Sequence, residues 1–418
     1  MSVALAVLAA LVVPYLALLL WVAAGVVAPP RGRPSNAPSR WPSVDLVVPA
    51  HDEERTLPAT LASLHALAYP GVLRIVLVDD RSTDGTAAAI AAAARRDPRV
   101  QVVRVERASR RRAPKVNAVW HGLRAGTGEI VMTTDADCRL APDWVRAMAA
   151  PFADPDVVLA LGTVTTRGPG EARGFRERFE AIDWLSLMLT SRSLARFGRT
   201  FASSANAQAY RRAAFERVGG FGLAARAPSG DEDLLAQRLG RLPGARAVFV
   251  DDPAAWVLTR PMPSWGALLR QRRRWASRYQ HVDQYHPAFW SAIVLLGTQS
   301  AALAVALVAL PFVPAAAPTV LTLWGAKLVV EIVGAHVGLG RLGRSDLRGP
   351  AVVGWALLHP FFIAAALFAS LARPSSWRSG QAGYRRRLWR ARWRRRRRAR
   401  KRVQERTHRA RRDGRVGS

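Results

Sequence analysis

The sequence predicts an α/β domain on a mostly parallel, two-sided sheet, flanked by apolar segments long enough to cross a bilayer. Three observations carry that expectation. From Val44 to about Asp252, short apolar runs alternate with longer mixed ones, and strand–helix alternation implies parallel pairing. Outside that stretch lie four long, mostly apolar runs, of the length a membrane helix needs. Finally, three of the short runs stop at acids: His51-Asp52-Glu53-Glu54, Asp79-Asp80 and Asp135-Ala136-Asp137.

Residues 3–28 are uncharged and apolar. They lack the basic leading region of a cleaved signal peptide. Arg31, Arg33 and Arg40 follow, so the positive-inside rule places the next residues in the cytosol. "VDLVVPA" (44–50), "RIVLVDD" (74–80), "VQVVRV" (100–105) and "EIVMTTD" (129–135) read as buried strands ended by polar residues. "EERTLPATLASLHAL" and "STDGTAAAIAAAARRD" read as the helices between them. A helix over 233–240 follows "SGDEDLL", whose acids suit an N-cap and first turn. Gly219-Gly220 suits a tight turn.

Residues 289–313, 316–337 and 350–371 are the later apolar runs. Lys327 and Glu331 in the second stand one helical turn apart and are placed to pair. Three full spans after a cytosolic domain would put the arginine-rich tail outside, against the positive-inside rule. One run is therefore expected to be interfacial or re-entrant: 289–313, which follows a basic stretch, or 350–371, interrupted by His359-Pro360. The expected organisation is a membrane helix over 1–30, a cytosolic domain over 41–285, membrane segments over 286–372 and a basic tail over 373–418, partly disordered.

A single cysteine, Cys138, excludes an internal disulfide and fits a reducing compartment. Residues 384–418 hold 18 Lys/Arg against 2 acids, half of the formal net charge of +32. Nucleic acid is one partner for such a tail. Its position directly after an apolar segment, with Trp389 and Trp393 among the arginines, favours anionic membrane lipid instead.

A lone Asp-x-Asp is weak evidence, since most such pairs are solvated turns. Three acid clusters at successive strand ends are stronger, because parallel strands present their carboxyl ends at one rim, where ligands bind. On extended backbone Asp135 and Asp137 would point the same way, and their repulsion calls for a cation or a shared proton. A nucleotide diphosphate adds further negative charge, which carboxylates tolerate through a bridging Mg²⁺ or Mn²⁺.

"VVPAHDEE", "VLVDDRSTDGT", "APKVNA", "TTDADC", "SGDEDLLAQRL" and "LLRQRRRWASR" occur in the order and spacing of membrane-bound family-2 inverting glycosyltransferases. Over residues 44–280 the chain resembles that group, which includes cellulose, chitin and poly-N-acetylglucosamine synthases and ceramide glucosyltransferase. The resemblance implies a GT-A fold, a Rossmann-like mixed sheet, and transfer from a nucleotide-sugar, most often a UDP-sugar. It implies that Pro49, Asp52, Glu54, Asp79 and Asp80 line the nucleotide site, with Asp52 standing where asparagine is usual. Lys115 and Asn117 match the diphosphate-contacting segment. Asp135 and Asp137 match the metal-binding Asp-x-Asp, with Asp137 the more direct ligand.

Aligned on Leu234, Asp231 takes the catalytic-base position; Asp233 is the alternative, and Gly230 replaces a glutamate of one family pattern. Gln271, Arg274 and Trp275 match Gln-x-x-Arg-Trp, contacting diphosphate and offering a flat face to the acceptor. "AYRRAAFERVGGFG" (209–222) looks like the acceptor-side segment, and "SSWRSGQAGYRRR" (375–387) resembles the family's segment after the last membrane helix only loosely.

The implied function is sugar transfer to a membrane lipid by a multi-pass inner-membrane protein whose catalytic domain is cytosolic. The alternatives are a processive polysaccharide synthase and, from another class, a membrane protein that binds nucleotide-sugars or lipids without turnover. Four apolar runs are few for a secretion channel, which favours the lipid acceptor.

Overall fold

The structure is a computed structural model that describes residues 3–29, 38, 40–222, 225, 230–276 and 285–372. The chain opens with helix α1 (Val3–Val27), then builds β1 (Val44–Ala50), α2 (Leu57–His65), β2 (Leu73–Asp79), α3 (Thr86–Arg96), β3 (Val100–Arg104), α4 (Pro114–Ala125) and β4 (Ile130–Thr133). It continues through β5 (Cys138–Leu140), α5 (Trp144–Ala149), β6 (Val157–Leu161), β7 (Val164–Thr165), the long α6 (Gly174–Arg196) and β8 (Gln208–Arg211). Then follow α7 (Arg212–Arg217), α8 (Asp231–Leu239), β9 (Arg246–Phe249), β10 (Val257–Thr259) and α9 (Trp265–Ala276). Three apolar helices close the described chain: α10 (Pro287–Ala309), α11 (Ala317–Arg341) and α12 (Pro350–Ala372).

Seven strands form one sheet in the order β3-β2-β1-β4-β8-β6-β9. β1 runs parallel to β2 and β4, and β2 to β3. β8 is antiparallel to both its neighbours, so the sheet is mixed. Its central strands are apolar on both faces, with Leu46, Val47, Ile75, Val76, Ile130 and Val131 all buried, as a sheet covered on two sides requires. α4 lies close on this sheet because Gly122 has no side chain: a Cβ there would sit 2.5 Å from Val47 Cγ1. A small second sheet, β5-β10-β7, caps the Asp135–Asp137 side.

Both predicted helices form, but begin later than their quoted stretches, and α3 is preceded by Gly85 with no side-chain cap. Gly219 and Gly220 do turn the chain, at φ +72° and +63°. α8 starts at Asp231, two residues before the expected 233.

Among the described residues, four stretches are helical and apolar enough to cross a membrane: Val3–Val27, Pro287–Phe312, Pro314–Arg341 and Pro350–Ala372. His359-Pro360 does not interrupt the last, which runs through Pro360. Lys327 and Glu331 pair at 2.6 Å. α6 links the bundle to the sheet: Ser193 Oγ donates to the Val22 carbonyl at 2.7 Å, and Arg192 Nε to Asp251 Oδ1 at 2.7 Å. The basic tail, including 375–387, lies outside the described residues.

Asp45 on β1 is buried and accepts from the Gly128 amide and from Arg212 Nη2, both at 2.6 Å. Asp45→Ala leaves both donors unmet and is expected to cost about 3 kcal/mol, read as a lower denaturation midpoint of the purified chain in detergent; an unchanged midpoint would contradict this.

Candidate active site

Because β2, β1 and β4 are adjacent and parallel, their carboxyl ends open at one edge of the sheet. A cleft lies there, lined by Pro49 of β1, Lys115 and Val119 of α4, Thr133, Thr134 and Asp135 at the end of β4, Gln208 and Tyr210 of β8, and Asp231 and Glu232 of α8. Four separate pieces of chain therefore place ionisable groups around one space.

Lys115 Nζ meets Asp135 Oδ1 at 2.6 Å. Burial draws the Lys115 ammonium down, but Asp135, Glu232 and Asp231 together outweigh it and hold its pKa above the ordinary lysine value. The lysine thus answers the acids of β4 and α8 at once. Asp135 and Asp137 do not sit on extended backbone: β4 ends at Thr133, and the two acids occupy the turn before β5. They converge by that turn rather than by strand alternation. Burial, then Asp135, then Glu53 push the Asp137 carboxyl up to about 6. A carboxylate so disfavoured fits a cation beside it. Among the described residues no three His, Cys, Asp or Glu side chains form a group able to hold a metal. Two carboxylates fit an ion that keeps water and substrate phosphate in its shell, as Mg²⁺ does.

Asp231 is buried at the start of α8, behind Gly230, whose φ of +85° is one a side chain would strain. Burial and then Glu232 raise the Asp231 pKa well above the carboxylate range, with Lys115 opposing them. Asp233 differs. It is fully buried, and its Oδ1 accepts from the Ser203 amide at 2.7 Å, which anchors the 203 segment. Asp231, not Asp233, lines the cleft.

The other predicted residues take other positions. Asp52, at φ +53°, accepts from the Thr83 amide at 2.7 Å through Oδ1; aspartate and asparagine both tolerate this left-handed backbone. Glu54 Oε2 accepts from the Gly85 amide at 3.1 Å, and Asp79 Oδ1 from the Ser82 amide at 3.1 Å. Asp80 pairs with Arg81 Nε at 2.9 Å. Asp52 and Glu54 stitch the loop after β1 to the loop after β2, while Asp79 and Asp80 shape the second loop from within, all on the same rim but outside the cleft walls. Asn117 is buried on α4.

Gln271, Arg274 and Trp275 lie on α9, also outside those walls. Gln271 Oε1 accepts from Arg272 Nη1. The Arg272 guanidinium lies 4.1 Å from the Trp275 ring centroid, and Trp275 meets Trp184 edge-on at 4.9 Å. The flat face expected for an acceptor is covered by Arg272 here, because Arg272 turns inward to Asp183 at 2.7 Å.

Sequence reasoning did not single out Gln208, and took in Tyr210 only as part of the segment 209–222. Their period-two spacing in "QAYR" was the available signal, since it puts both on one face of β8. Tyr210 is buried, stacks on Phe215, and its hydroxyl has no hydrogen-bond partner among the described residues.

Comparison with known proteins fits this geometry. The family described as Glycosyl transferase family 2 matches residues 45–219. An N-acetylglucosaminyltransferase of Mesorhizobium japonicum is 30% identical over 260 residues, 59% of this chain and 57% of that protein. One of Bradyrhizobium elkanii is 33% identical over 135 residues, 31% of this chain and 70% of that protein. The chain spans little more than half the length of the first of these. A mannosyltransferase from Pyrobaculum calidifontis, solved in complex with GDP-Man and Mn²⁺, superposes with a TM-score of 0.60 at 22% identity, covering 89% of this chain and 99% of that one. The fold is the GT-A fold.

The raised Asp231 pKa has a stability consequence. The folded state holds this proton more tightly than the unfolded chain, so wild type loses stability as pH rises through the raised value. Asn has no proton to lose. Asp231→Asn is therefore expected to denature later than wild type at pH 8, the gap closing toward pH 4; equal midpoints at pH 8 would refute the burial argument.

Proposed function

The chain belongs to glycosyl transferase family 2, and from that premise we propose that it moves a sugar from a nucleotide-sugar to a membrane lipid with inversion at the sugar carbon. The observation that carries this reading is the meeting of Lys115–Asp135 and Asp231 in one cleft at the ends of parallel strands. The names of the relatives favour UDP-N-acetylglucosamine as donor.

Asp231 is the base. It takes the proton of the acceptor hydroxyl as that oxygen bonds to the anomeric carbon and the bond from that carbon to the diphosphate breaks. A buried carboxyl whose pKa stands above the usual range suits that task. Asp135 and Asp137 hold Mg²⁺ or Mn²⁺, which when bound neutralises charge on the diphosphate. Lys115 turns from Asp135 to the same phosphates, with Arg274 and Gln271 reaching them from α9. Pro49, Asp52, Glu54, Asp79, Asp80 and Asn117 shape the nucleoside end. Asp233 supports α8.

The four apolar helices keep the chain in the membrane as a multi-pass protein, with the cleft in the cytosol, where nucleotide-sugars are made available. The basic tail binds anionic lipid. Four such helices are few for a polymer channel, which favours a single addition to lipid over processive synthesis.

Membranes carrying the chain are expected to convert labelled UDP-N-acetylglucosamine into a lipid bearing one sugar, in a reaction that needs Mg²⁺ or Mn²⁺. Asp231→Asn is expected to lower turnover by about 10²–10⁴-fold while donor binding persists, and Asp137→Ala to abolish the response to added metal. A long polymer as product would move the reading to a processive synthase. Wild-type turnover in Asp231→Asn would remove the base assignment, and donor binding without any turnover by wild type would leave a binding protein.

A further inference from the structure

The apolar bundle buries ionisable groups that the proposed transfer does not use. Lys327 and Glu331 of α11 pair at 2.6 Å, with Lys327 fully buried. His359 of α12 stands between two carboxylates on two other helices. Its Nδ1 lies 3.4 Å from Glu331 Oε1, and its Nε2 lies 4.0 Å from Asp183 Oδ1 of α6. Asp183 turns its other oxygen to α9, accepting from Arg272 Nε at 2.7 Å. Arg272 in turn holds Gln271 and covers Trp275. A line of polar groups therefore runs from mid-bundle to the helix carrying Gln271, Arg274 and Trp275, through five residues on four helices, with His359 standing between the two acids at 3.4 and 4.0 Å.

Groups of this kind are rare among apolar helices, and their partners are costly to lose there. Against hydrophobic side chains of equal size they add little stability, so stability alone does not account for them. What they do supply is register. If α12 slides against α6 or α11, a carboxylate loses its neighbour, and the apolar surroundings offer no water to replace it.

We propose that His359 is a positioning residue, coupled through Asp183 and Arg272 to the placement of α9. The consequence for turnover rests on the reading of α9 as part of the transfer site; the coupling itself does not.

The test uses the full chain in detergent or nanodiscs with two isosteric variants. The amide nitrogen of Gln reaches the position of histidine Nε2, and that of Asn the position of Nδ1. His359→Gln can still face Asp183, whereas His359→Asn faces Glu331 alone. Amide hydrogen exchange over Trp265–Ala276 is expected to accelerate about tenfold in His359→Asn and to stay within about threefold of wild type in His359→Gln. With UDP-N-acetylglucosamine as the probe, kcat is expected to fall about tenfold in His359→Asn at nearly unchanged donor KM, and to hold in His359→Gln. Equal exchange in the two variants, at whatever level, overturns the coupling. The predicted exchange split in a chain inert toward the sugar nucleotide would strike the transfer reading and leave the coupling standing.

Discussion

The structure depends on how negative charge is held at one edge of the sheet. Three adjacent parallel strands end in acids, and α8 brings more from far along the chain. Left alone, such groups would raise one another's pKa or push the segments apart. The fold answers in two ways. Acids after β1 and β2 are spent on backbone amides and Arg81, where they hold loops in shape. Those of β4 and α8 stay around a cleft with one cation, Lys115, among them. Lys115 takes only one oxygen of Asp135, and the Asp137 carboxyl remains pushed up to about 6 by burial, Asp135 and Glu53. Among the described residues that line the cleft Lys115 is the one cation, and the metal of the proposed metal–diphosphate complex would bring further positive charge there.

Much of this was legible in the sequence because strand ends are local. The runs 44–50 and 74–80 form β1 and β2 nearly as bounded, and the acids that end them share a rim because the strands are parallel. What escaped depends on contacts between distant segments. Asp135 and Asp137 meet through a turn fixed by the second small sheet, which no alternation rule sees. Trp275 is taken up by Trp184 and Arg272, and Arg272 by Asp183, 89 residues away in chain. Tyr210 and Gln208 reach the cleft because β8 enters the sheet antiparallel between β4 and β6, an order that depends on the whole topology.

Among the acids of "SGDEDLL", neighbouring residues have separate tasks because a helix turns about 100° per residue. Asp233 faces the 203 segment and takes its amide; Asp231, two residues earlier, faces the cleft and Lys115. Alignment on Leu234 favours Asp231, but the local pattern gives no physical reason for the choice, since both acids lie in the first turn. Gly230 does, in retrospect: its left-handed backbone starts α8 early enough to bring Asp231 inside the helix and onto the cleft side. A glycine in place of the glutamate of one family pattern is then part of how the helix begins.

The same logic extends into the bundle. A carboxylate among apolar helices is tolerated when each oxygen has a partner. Glu331 meets this with Lys327 on one oxygen, and Tyr15 and His359 on the other, drawing α1, α11 and α12 to one point. Asp183, on the sheet side, accepts from Arg272 with one oxygen at 2.7 Å and turns the other toward His359 Nε2 at 4.0 Å. One histidine therefore stands between acids of two different helices. In the cleft, charge is left open for a substrate to complete; in the bundle it is closed within the chain. That contrast separates a surface built to exchange partners from one built to hold its elements in place.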